Sequence, residues 1–148
     1  MISAGGPICD GAAGVSAGHS ARPTREGRCV PQVSIIDDDE SLRGALVSLV
    51  RSFGYDAQGF DSAEQFLAAG GASGCDCIVT DIHMPGLSGI ELKQQLTLAD
   101  DTTPVIMITA RSEPALRERA RESGALCLLT KPFEANELIA CIEQAFAA

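Results

Sequence analysis

The stretch "SIIDDDES" at residues 34–41 joins an apolar run directly to three aspartates and a glutamate. The apolar run at residues 33–36 is typical of a short buried strand. Like charges that are crowded together cost Coulomb energy unless a positive charge lies among them. The acidic residues 37–40 therefore indicate either the start of a helix, whose dipole favours negative side chains, or a site that meets a cation.

Strand-like and helix-like segments alternate from Pro31 to the end of the chain. Between the strands, apolar residues recur on one helical face, most clearly from Leu42 to Phe53, after which Gly54 is predicted to end the helix. Five strand–helix units predict an α/β fold, with a parallel sheet covered by helices on both faces and each strand buried on both sides. The predicted strands are residues 33–36, 56–60, 77–80, 105–108 and 126–129.

Short motifs predict where the other helices begin and end. The patterns "SAEQ" at 62–65 and "SGIE" at 88–91 are those of capping boxes that open helices. Pro114 is predicted in the first turn of the next helix and Gly124 at its end. One face of the last helix is predicted to be apolar, with Leu138, Cys141, Ile142 and Ala145.

The composition bounds the class of protein. The chain has 148 residues, of which 45% are hydrophobic, so it is long and apolar enough for one domain with a real core. No apolar run approaches the length of a membrane span or a signal peptide, so we expect a cytoplasmic protein without a membrane partner. Residues 1–30 are rich in Gly, Ala and Ser and are expected to form a flexible N-terminal extension, which leaves residues 31–148 for the folded domain.

The charge and the cysteines exclude two further classes. Residues 31–148 carry 18 acidic residues against 8 Lys and Arg, so we expect no direct nucleic-acid binding by this chain. The six cysteines lack the paired spacing of a zinc site. Cys77, Cys127 and Cys141 are instead interpreted as small apolar residues of the core.

The chemically distinctive residues follow the predicted strands. Asp37 and Asp38 come after the first strand, Asp81 ends the third, Thr109 the fourth and Lys131 the fifth. The second strand contributes nothing chemically distinctive. Because the carboxyl ends of parallel strands meet at one edge of a sheet, these side chains are expected to converge there.

Carboxylates, a hydroxyl and an ammonium suit phosphoryl chemistry. Oxygen ligands favour Mg²⁺, and a phosphoryl group would satisfy the cation, Lys131 and Thr109 together. An aspartate can also act as a nucleophile and form an acyl phosphate. A calcium-binding loop that starts at Asp37 is excluded, because its sixth position is Leu42 and its twelfth is Ser48, where such loops need Gly and Glu.

Four motifs carry a resemblance to a known family. "IIDDDESLR", "VTDIHMPGLSG", "ITA" and "KPF" occur in this order and at matching strand ends. Over residues 31–147 the chain resembles a response-regulator receiver domain, and it is most similar to receivers of the nitrogen-fixation regulator type. The resemblance implies a CheY-like, flavodoxin-like fold with strand order 2-1-3-4-5, and two-component signal transduction.

The resemblance also implies a role for each motif residue. Asp81 would accept a phosphoryl group from the phosphohistidine of a sensor histidine kinase or of a phosphotransfer protein, and the domain would catalyse its own phosphorylation and dephosphorylation. Mg²⁺ would be held directly by Asp38, Asp81 and the backbone carbonyl of His83, and by Asp37 through a water molecule. Thr109 and Lys131 would bind phosphoryl oxygens, with Lys131-Pro132 a cis peptide. Pro85 and Gly86 would shape the turn after Asp81, while the side chains of His83 and Arg111 would tune the lifetime of the phosphoryl group.

One position departs from the family pattern. The family often has an aromatic residue three places before the lysine, and here that place is Leu128. Leu128 therefore cannot act as an aromatic switch coupled to Thr109, and the partner-binding surface is expected to rearrange differently or less. Phosphorylation-dependent dimerisation through the fourth-helix face is a further expectation from the resemblance.

Two other function classes compete with this interpretation. A phosphatase with an aspartate nucleophile usually has a second acid two residues later, where this chain has His83. A degenerate receiver that acts only as a protein-binding module would lack an intact acid pair, Asp81, Thr109 or Lys131. Asp39 and Glu40 are interpreted only as a helix start.

Overall fold

The computed structural model describes residues 30–71, 75–111 and 113–147. These residues form five strands and five helices that alternate along the chain. The expected flexible extension, residues 1–30, lies outside the described residues except for Val30. In chain order the elements are β1 (Gln32–Ile36), α1 (Glu40–Ser52), β2 (Asp56–Phe60), α2 (Ala63–Ala68), β3 (Cys77–Asp81), α3 (Gly89–Leu98), β4 (Val105–Thr109), α4 (Pro114–Glu122), β5 (Cys127–Thr130) and α5 (Ala135–Ala147).

The strands form one parallel sheet in the order β2-β1-β3-β4-β5. The predicted order 2-1-3-4-5 is therefore confirmed. In the register of β1 with β3, Ile36 lies opposite Thr80, so the residues that follow both strands leave the sheet side by side. The strand β2 lies on one side of β1, and the later strands are added on the other side, beginning with β3. Open α/β sheets form their functional crevice at such a switch point, which here lies between the ends of β1 and β3.

Two separate apolar clusters cover the two faces of the sheet. One cluster joins strand residues to α1 and α5, and it includes Leu46, Val50 and Ile142. The other joins the opposite faces of the strands to α2, α3 and α4, and it includes Phe66 and Leu92. The predicted covering of both faces is confirmed. Burial of these helix faces fixes the sheet as a rigid platform for the loops at its edge.

Burial of the strands differs from the prediction at the two edges. Every residue of β3 and β4 is buried, and β1 is buried except at Gln32. In β2 only Ala57 and Phe60 are buried, and all of β5 is half-buried. The expectation that each strand is buried on both sides was therefore wrong for β2 and β5, because an edge strand has a neighbour on one side only.

The helix signals were mostly confirmed. Ser88 and Glu91 form a reciprocal capping box, and Pro114 occupies the first turn of α4. Ser62 caps α2, but the side chain of Gln65 accepts a hydrogen bond from Asp61 N rather than from Ser62 N. The predicted end glycines, Gly54 and Gly124, and the turn residue Gly86 all have positive φ angles. The predicted inner face of α5 is buried throughout, at Leu138, Cys141, Ile142 and Ala145.

Four of the six cysteines lie among the described residues: Cys75, Cys77, Cys127 and Cys141. Cys77 and Cys141 are buried in the core, as predicted. Cys127 is only half-buried, and its thiol donates to Gln144 Oε1 at 3.8 Å, so it is not a full core residue. Burial, together with the neighbouring Cys127, raises the pKa of Cys141 to about 12. Cys141 therefore stays a neutral, apolar thiol at physiological pH.

Candidate functional site

Three carboxylates converge where β1 and β3 end. Oxygen atoms of Asp37, Asp38 and Asp81 lie within 4.8 Å of one another, a separation at which a metal ion can be held. Asp37 and Asp81 are buried, while Asp38 is exposed. The adjacent strands explain the meeting, because β1 pairs with β3 up to Ile36 and Thr80 and each aspartate follows in the next position. The predicted convergence of these residues is thus confirmed.

Lys131 brings a positive charge to the same place from β5. Its Nζ lies 3.6 Å from Asp81 Oδ2 and 3.8 Å from Asp37 Oδ2. Its backbone N–H donates to the carbonyl of Thr109 at 2.8 Å, which ties the end of β5 to the end of β4. The Lys131-Pro132 peptide is cis, as the resemblance implied. One ammonium group therefore faces two of the three carboxylates.

The two buried carboxylates resist ionisation. Burial raises the pKa of Asp81, and this effect outweighs the lowering by the Lys131 charge and by hydrogen bonds from the backbone N–H groups of His83 and Ile82. Burial also raises the pKa of Asp37, with a further contribution from the charge of Asp81. The site thus holds more negative charge than its surroundings stabilise.

Asp37 also keeps one oxygen without a hydrogen bond. Its Oδ1 accepts from the backbone N–H of Asp39 at 2.9 Å. Its Oδ2 is buried and has no hydrogen-bond donor within the described ranges. A buried oxygen of this kind is costly unless a charged group completes its surroundings. The residues present therefore fit a hard divalent cation with oxygen ligands.

The acidic residues after Asp38 serve the helix instead. The side chain of Asp39 accepts hydrogen bonds from the backbone N–H groups of Ser41 and Leu42, so Asp39 is the N-cap of α1. Glu40 lies in the first turn of α1. The interpretation of Asp39 and Glu40 as a helix start is consistent with both placements.

Thr109 lies at the same edge of the sheet, one strand away from Asp81. It is fully buried at the end of β4, and its Oγ1 accepts from the backbone N–H of Arg111 at 3.0 Å. A hydroxyl that accepts one hydrogen bond can still donate its proton to an anion. The Arg111 side chain is exposed.

The two remaining predicted positions are His83, in the loop after β3, and Leu128, in β5. His83 is exposed, as expected for a residue that is not a side-chain metal ligand. Leu128 is half-buried in the middle of β5 and packs against the cluster that includes Phe66. It also lines a cavity of about 250 Å³ between β5 and α4, together with Arg117 and Arg121.

Two residues near the site had no predicted role. Glu64 of α2 accepts the backbone N–H of Leu87 at 2.9 Å, which anchors the loop that follows Asp81. A Cβ atom at residue 89 would lie 2.6 Å from the backbone oxygen of Asp81, so only glycine allows α3 to begin so close to β3. The "SG" pair in the second motif was a usable signal for Gly89, whereas Glu64 lies in a different helix and gave none.

Residues 33–143 match the response regulator receiver domain family. The response regulator protein TodT of Pseudomonas putida is 36% identical over 113 residues, which cover 76% of this chain and 50% of TodT. The transcriptional regulatory protein FixJ of Bradyrhizobium diazoefficiens is 37% identical over 113 residues, which cover 76% of this chain and 55% of FixJ.

A solved structure gives the same result. The crystal structure of FixJ-N superimposes with a TM-score of 0.71 at 34% identity, covering 78% of this chain and 92% of that one. The chain spans about half the length of the curated relatives it matches. Among the described residues, no helix is both long and apolar enough to cross a membrane. The fold, the motifs and these matches together show that the chain belongs to the response regulator receiver domain family of two-component signalling.

Proposed function

We propose that Asp81 is the phosphoacceptor of this receiver domain, which spans residues 31–148. The observation that carries the proposal is the meeting of Asp37, Asp38 and Asp81 with the ammonium of Lys131 at one edge of the sheet. Asp81 is the member of this group that ends the central strand β3, and its Oδ2 faces Lys131. A carboxylate held beside a cationic group is suited to receive a phosphoryl group.

The same residues would hold Mg²⁺. The proposed protein ligands are carboxylate oxygens of Asp38 and Asp81 and the backbone carbonyl of His83, with Asp37 acting through a water molecule. The buried Asp37 Oδ2 supports a cation here, because it accepts no hydrogen bond from the described residues. When bound, Mg²⁺ neutralises negative charge on phosphoryl oxygens. The chain itself contributes the rigid placement of the carboxylates, because Asp37 and Asp81 come directly after the paired residues Ile36 and Thr80.

Other residues have proposed roles around the acceptor. Lys131 pairs with one phosphoryl oxygen, since its Nζ already lies within 4 Å of Asp81 Oδ2. Thr109 donates its hydroxyl proton to a second oxygen. The side chains of His83 and Arg111 are exposed, and their proposed role is to tune how long the phosphoryl group survives. The domain thereby catalyses its own phosphorylation and dephosphorylation.

The proposed phosphodonor is a phosphohistidine of a sensor histidine kinase or of a phosphotransfer protein. An apolar groove of about 390 Å³ lies beside Lys131, between α1 and the loop after β5, and includes Leu42 and Phe133. A groove next to the acceptor gives a protein donor a surface to bind. The predicted location in the cytoplasm agrees with such a partner.

The proposed output is a changed surface around α4 and β5. Phosphorylation adds about −1.5 to −2 of charge at Asp81. Thr109 and the loop after β4 would move toward it, and Leu128 would repack in the cavity lined by Arg117 and Arg121. A leucine has no ring to couple to Thr109, so we expect a modest rearrangement. A phosphorylation-dependent homodimer through the α4 face remains part of this proposal.

The experiment is labelling with a small phosphodonor, read by intact mass. With acetyl phosphate and Mg²⁺, the parent protein should gain the mass of one phosphoryl group, and chelation of Mg²⁺ should prevent the gain. A degenerate receiver that only binds a partner would show no gain under either condition. The complete set of carboxylates with Lys131 favours the active form.

A further inference from the structure

Arg43 reaches back from α1 to the backbone of the acidic loop. Its Nη1 donates a hydrogen bond of 2.8 Å to the carbonyl oxygen of Asp37. The side chain is half-buried, so the contact is partly shielded from water. The hydrogen bond ends on a main-chain oxygen and leaves the carboxylates of Asp37 and Asp38 for other partners. A guanidinium is planar and always charged, so it is a rigid donor at any physiological pH.

The fold provides a recess for this side chain. The Arg43 stem passes over β2 at Gly59, where a Cβ atom would lie 3.0 Å from Cγ and 3.2 Å from Cδ of Arg43. Glycine inside a strand often marks a close approach by another group. Gly59 pairs with Ile35, two residues before Asp37, so the recess lies directly beside the acidic loop. The second strand, from which nothing chemically distinctive was expected, therefore contributes an empty space that seats Arg43.

We propose that Arg43 is a positioning residue for the Mg²⁺ site, acting through the backbone of Asp37. This inference rests on the cation site of the proposed function. Two effects of Arg43 on Mg²⁺ oppose each other. Its positive charge repels the cation, whereas its hydrogen bond holds the backbone that carries two of the three carboxylates. Because the bond is short and seated in a recess, the positioning effect dominates.

The chain offers a matched control on the same helix. Arg51 Nη2 donates to the carbonyl oxygen of Ala57 at 2.7 Å, again from α1 to a backbone oxygen six positions away. Loss of either arginine removes one charge and one guanidinium–carbonyl bond from α1. Ala57 lies in β2 toward the other end of the sheet from the acidic cluster. Arg51→Ala therefore matches Arg43→Ala in the charge and the hydrogen bond that it removes, without touching the site, although Arg51 is exposed and Arg43 is half-buried.

The test is Mg²⁺ affinity, measured by isothermal titration calorimetry on the full chain. For Arg43→Ala we expect a dissociation constant raised by about tenfold, as is typical when an outer partner of a metal ligand is lost. Arg51→Ala should bind like the parent, with circular dichroism and melting curves showing that both variants fold. Arg43→Lys should recover part of the affinity, because an ammonium can also donate to the carbonyl.

Each outcome distinguishes the inference from the proposed function. Unchanged or tighter Mg²⁺ binding by Arg43→Ala would overturn the positioning role and show that charge repulsion dominates. A parent protein that does not bind Mg²⁺ would contradict the cation site itself, and the inference with it. Gly59→Ala crowds the Arg43 stem, so it should weaken Mg²⁺ binding when it is introduced into the parent protein. When it is added to Arg43→Ala, it should not weaken Mg²⁺ binding any further. An equal loss in both backgrounds would also contradict the proposal.

Discussion

Lys131 Nζ lies 3.6 Å from Asp81 Oδ2, although β4 separates the strands that carry the two residues. The loop after β5 brings the lysine back across the end of β4, where its backbone N–H bonds to Thr109. The side chain of Lys131 is 25% exposed and that of Asp81 is 9% exposed, so the pair is mostly shielded from solvent. An ion pair in this setting affects both ionisation and stability more than a surface pair does.

Replacement of Lys131 by methionine should destabilise the metal-free protein. Lys131 lowers the pKa of Asp81 and of Asp37, so its loss leaves two buried carboxylates without their cationic partner. We expect a loss of about 1–3 kcal/mol at neutral pH in EDTA, measured by urea unfolding. Lys93→Met is the matched control, since Lys93 is a half-buried lysine on α3 whose Nζ donates to Thr97 Oγ1. An equal, small effect of both substitutions would contradict the role of Lys131.

Magnesium should stabilise the folded protein. Without magnesium, replacement of the charged Asp38 by asparagine should also stabilise it. A cation that binds only the native state adds roughly 2.7 kcal/mol at a hundredfold excess over its dissociation constant. In EDTA, Asp38→Asn should melt above the parent because one repelling charge is removed from the cluster. Glu40→Gln removes a nearby charge outside the cluster and should give no such gain. A parent melting curve that Mg²⁺ does not shift would count against a shared site.

The stability of the metal-free protein should fall as pH rises through the titration of Asp81 and Asp37. Burial raises both folded-state pKa values, so between the ordinary and the raised values the folded protein binds more protons than the unfolded chain. Stability contributed by these groups is therefore greatest at low pH and is lost toward neutrality. Asp81→Asn lacks one of the two groups. In EDTA its free energy of unfolding should therefore exceed that of the parent by an amount that grows with pH.

Urea unfolding of the parent and of Asp81→Asn across about pH 4 to 7 measures this difference. With Mg²⁺ present the trend of the parent should reverse, because protons compete with the cation for the carboxylates. A difference between the two proteins that stays constant over the range would show that the Asp81 carboxyl is not perturbed.

Removal of the Glu64 carboxylate should loosen the loop after Asp81. Glu64 Oε2 accepts from Leu87 N at 2.9 Å, and a lost hydrogen bond of a charged group costs about 1.5–3 kcal/mol. Because this hydrogen bond is exposed, we expect the loss of stability in Glu64→Ala to lie near the lower end of that range. Hydrogen exchange at the Leu87 amide should be faster in Glu64→Ala and nearer to the parent in Glu64→Gln, whose side-chain oxygen still accepts. Equal protection of this amide in all three proteins would show that Glu64 does not anchor the loop.

The parts that could be predicted from sequence are those set by local patterns. The apolar runs and end glycines gave the strands and helices, and placement of Asp37, Asp81, Thr109 and Lys131 at strand ends followed from the parallel order. The half-burial of β5 had no sign in its apolar sequence and follows from its place at the sheet edge, whereas the polar residues Asp56 and Gln58 were a usable sign that β2 is an edge strand.

Contacts that depend on tertiary neighbours had no such signal. Arg43 lies inside a recognised motif, but its purpose depends on Gly59 in another strand. The contact of Glu64 with Leu87 likewise joins two segments whose spacing along the chain carries no pattern. Side chains that bond to backbone atoms are hard to predict, because the partner residue's type is irrelevant to the contact.

The identity of the phosphoacceptor is the most direct test of the whole account. The parent and Asp81→Asn would be treated with acetyl phosphate and Mg²⁺, the acyl phosphate reduced with borohydride, and the modified position located by peptide mass spectrometry. We predict one reduced residue in the parent, at position 81, and none in Asp81→Asn. Modification of Asp37 or Asp38 in the parent, or a label that persists in Asp81→Asn, would contradict the account.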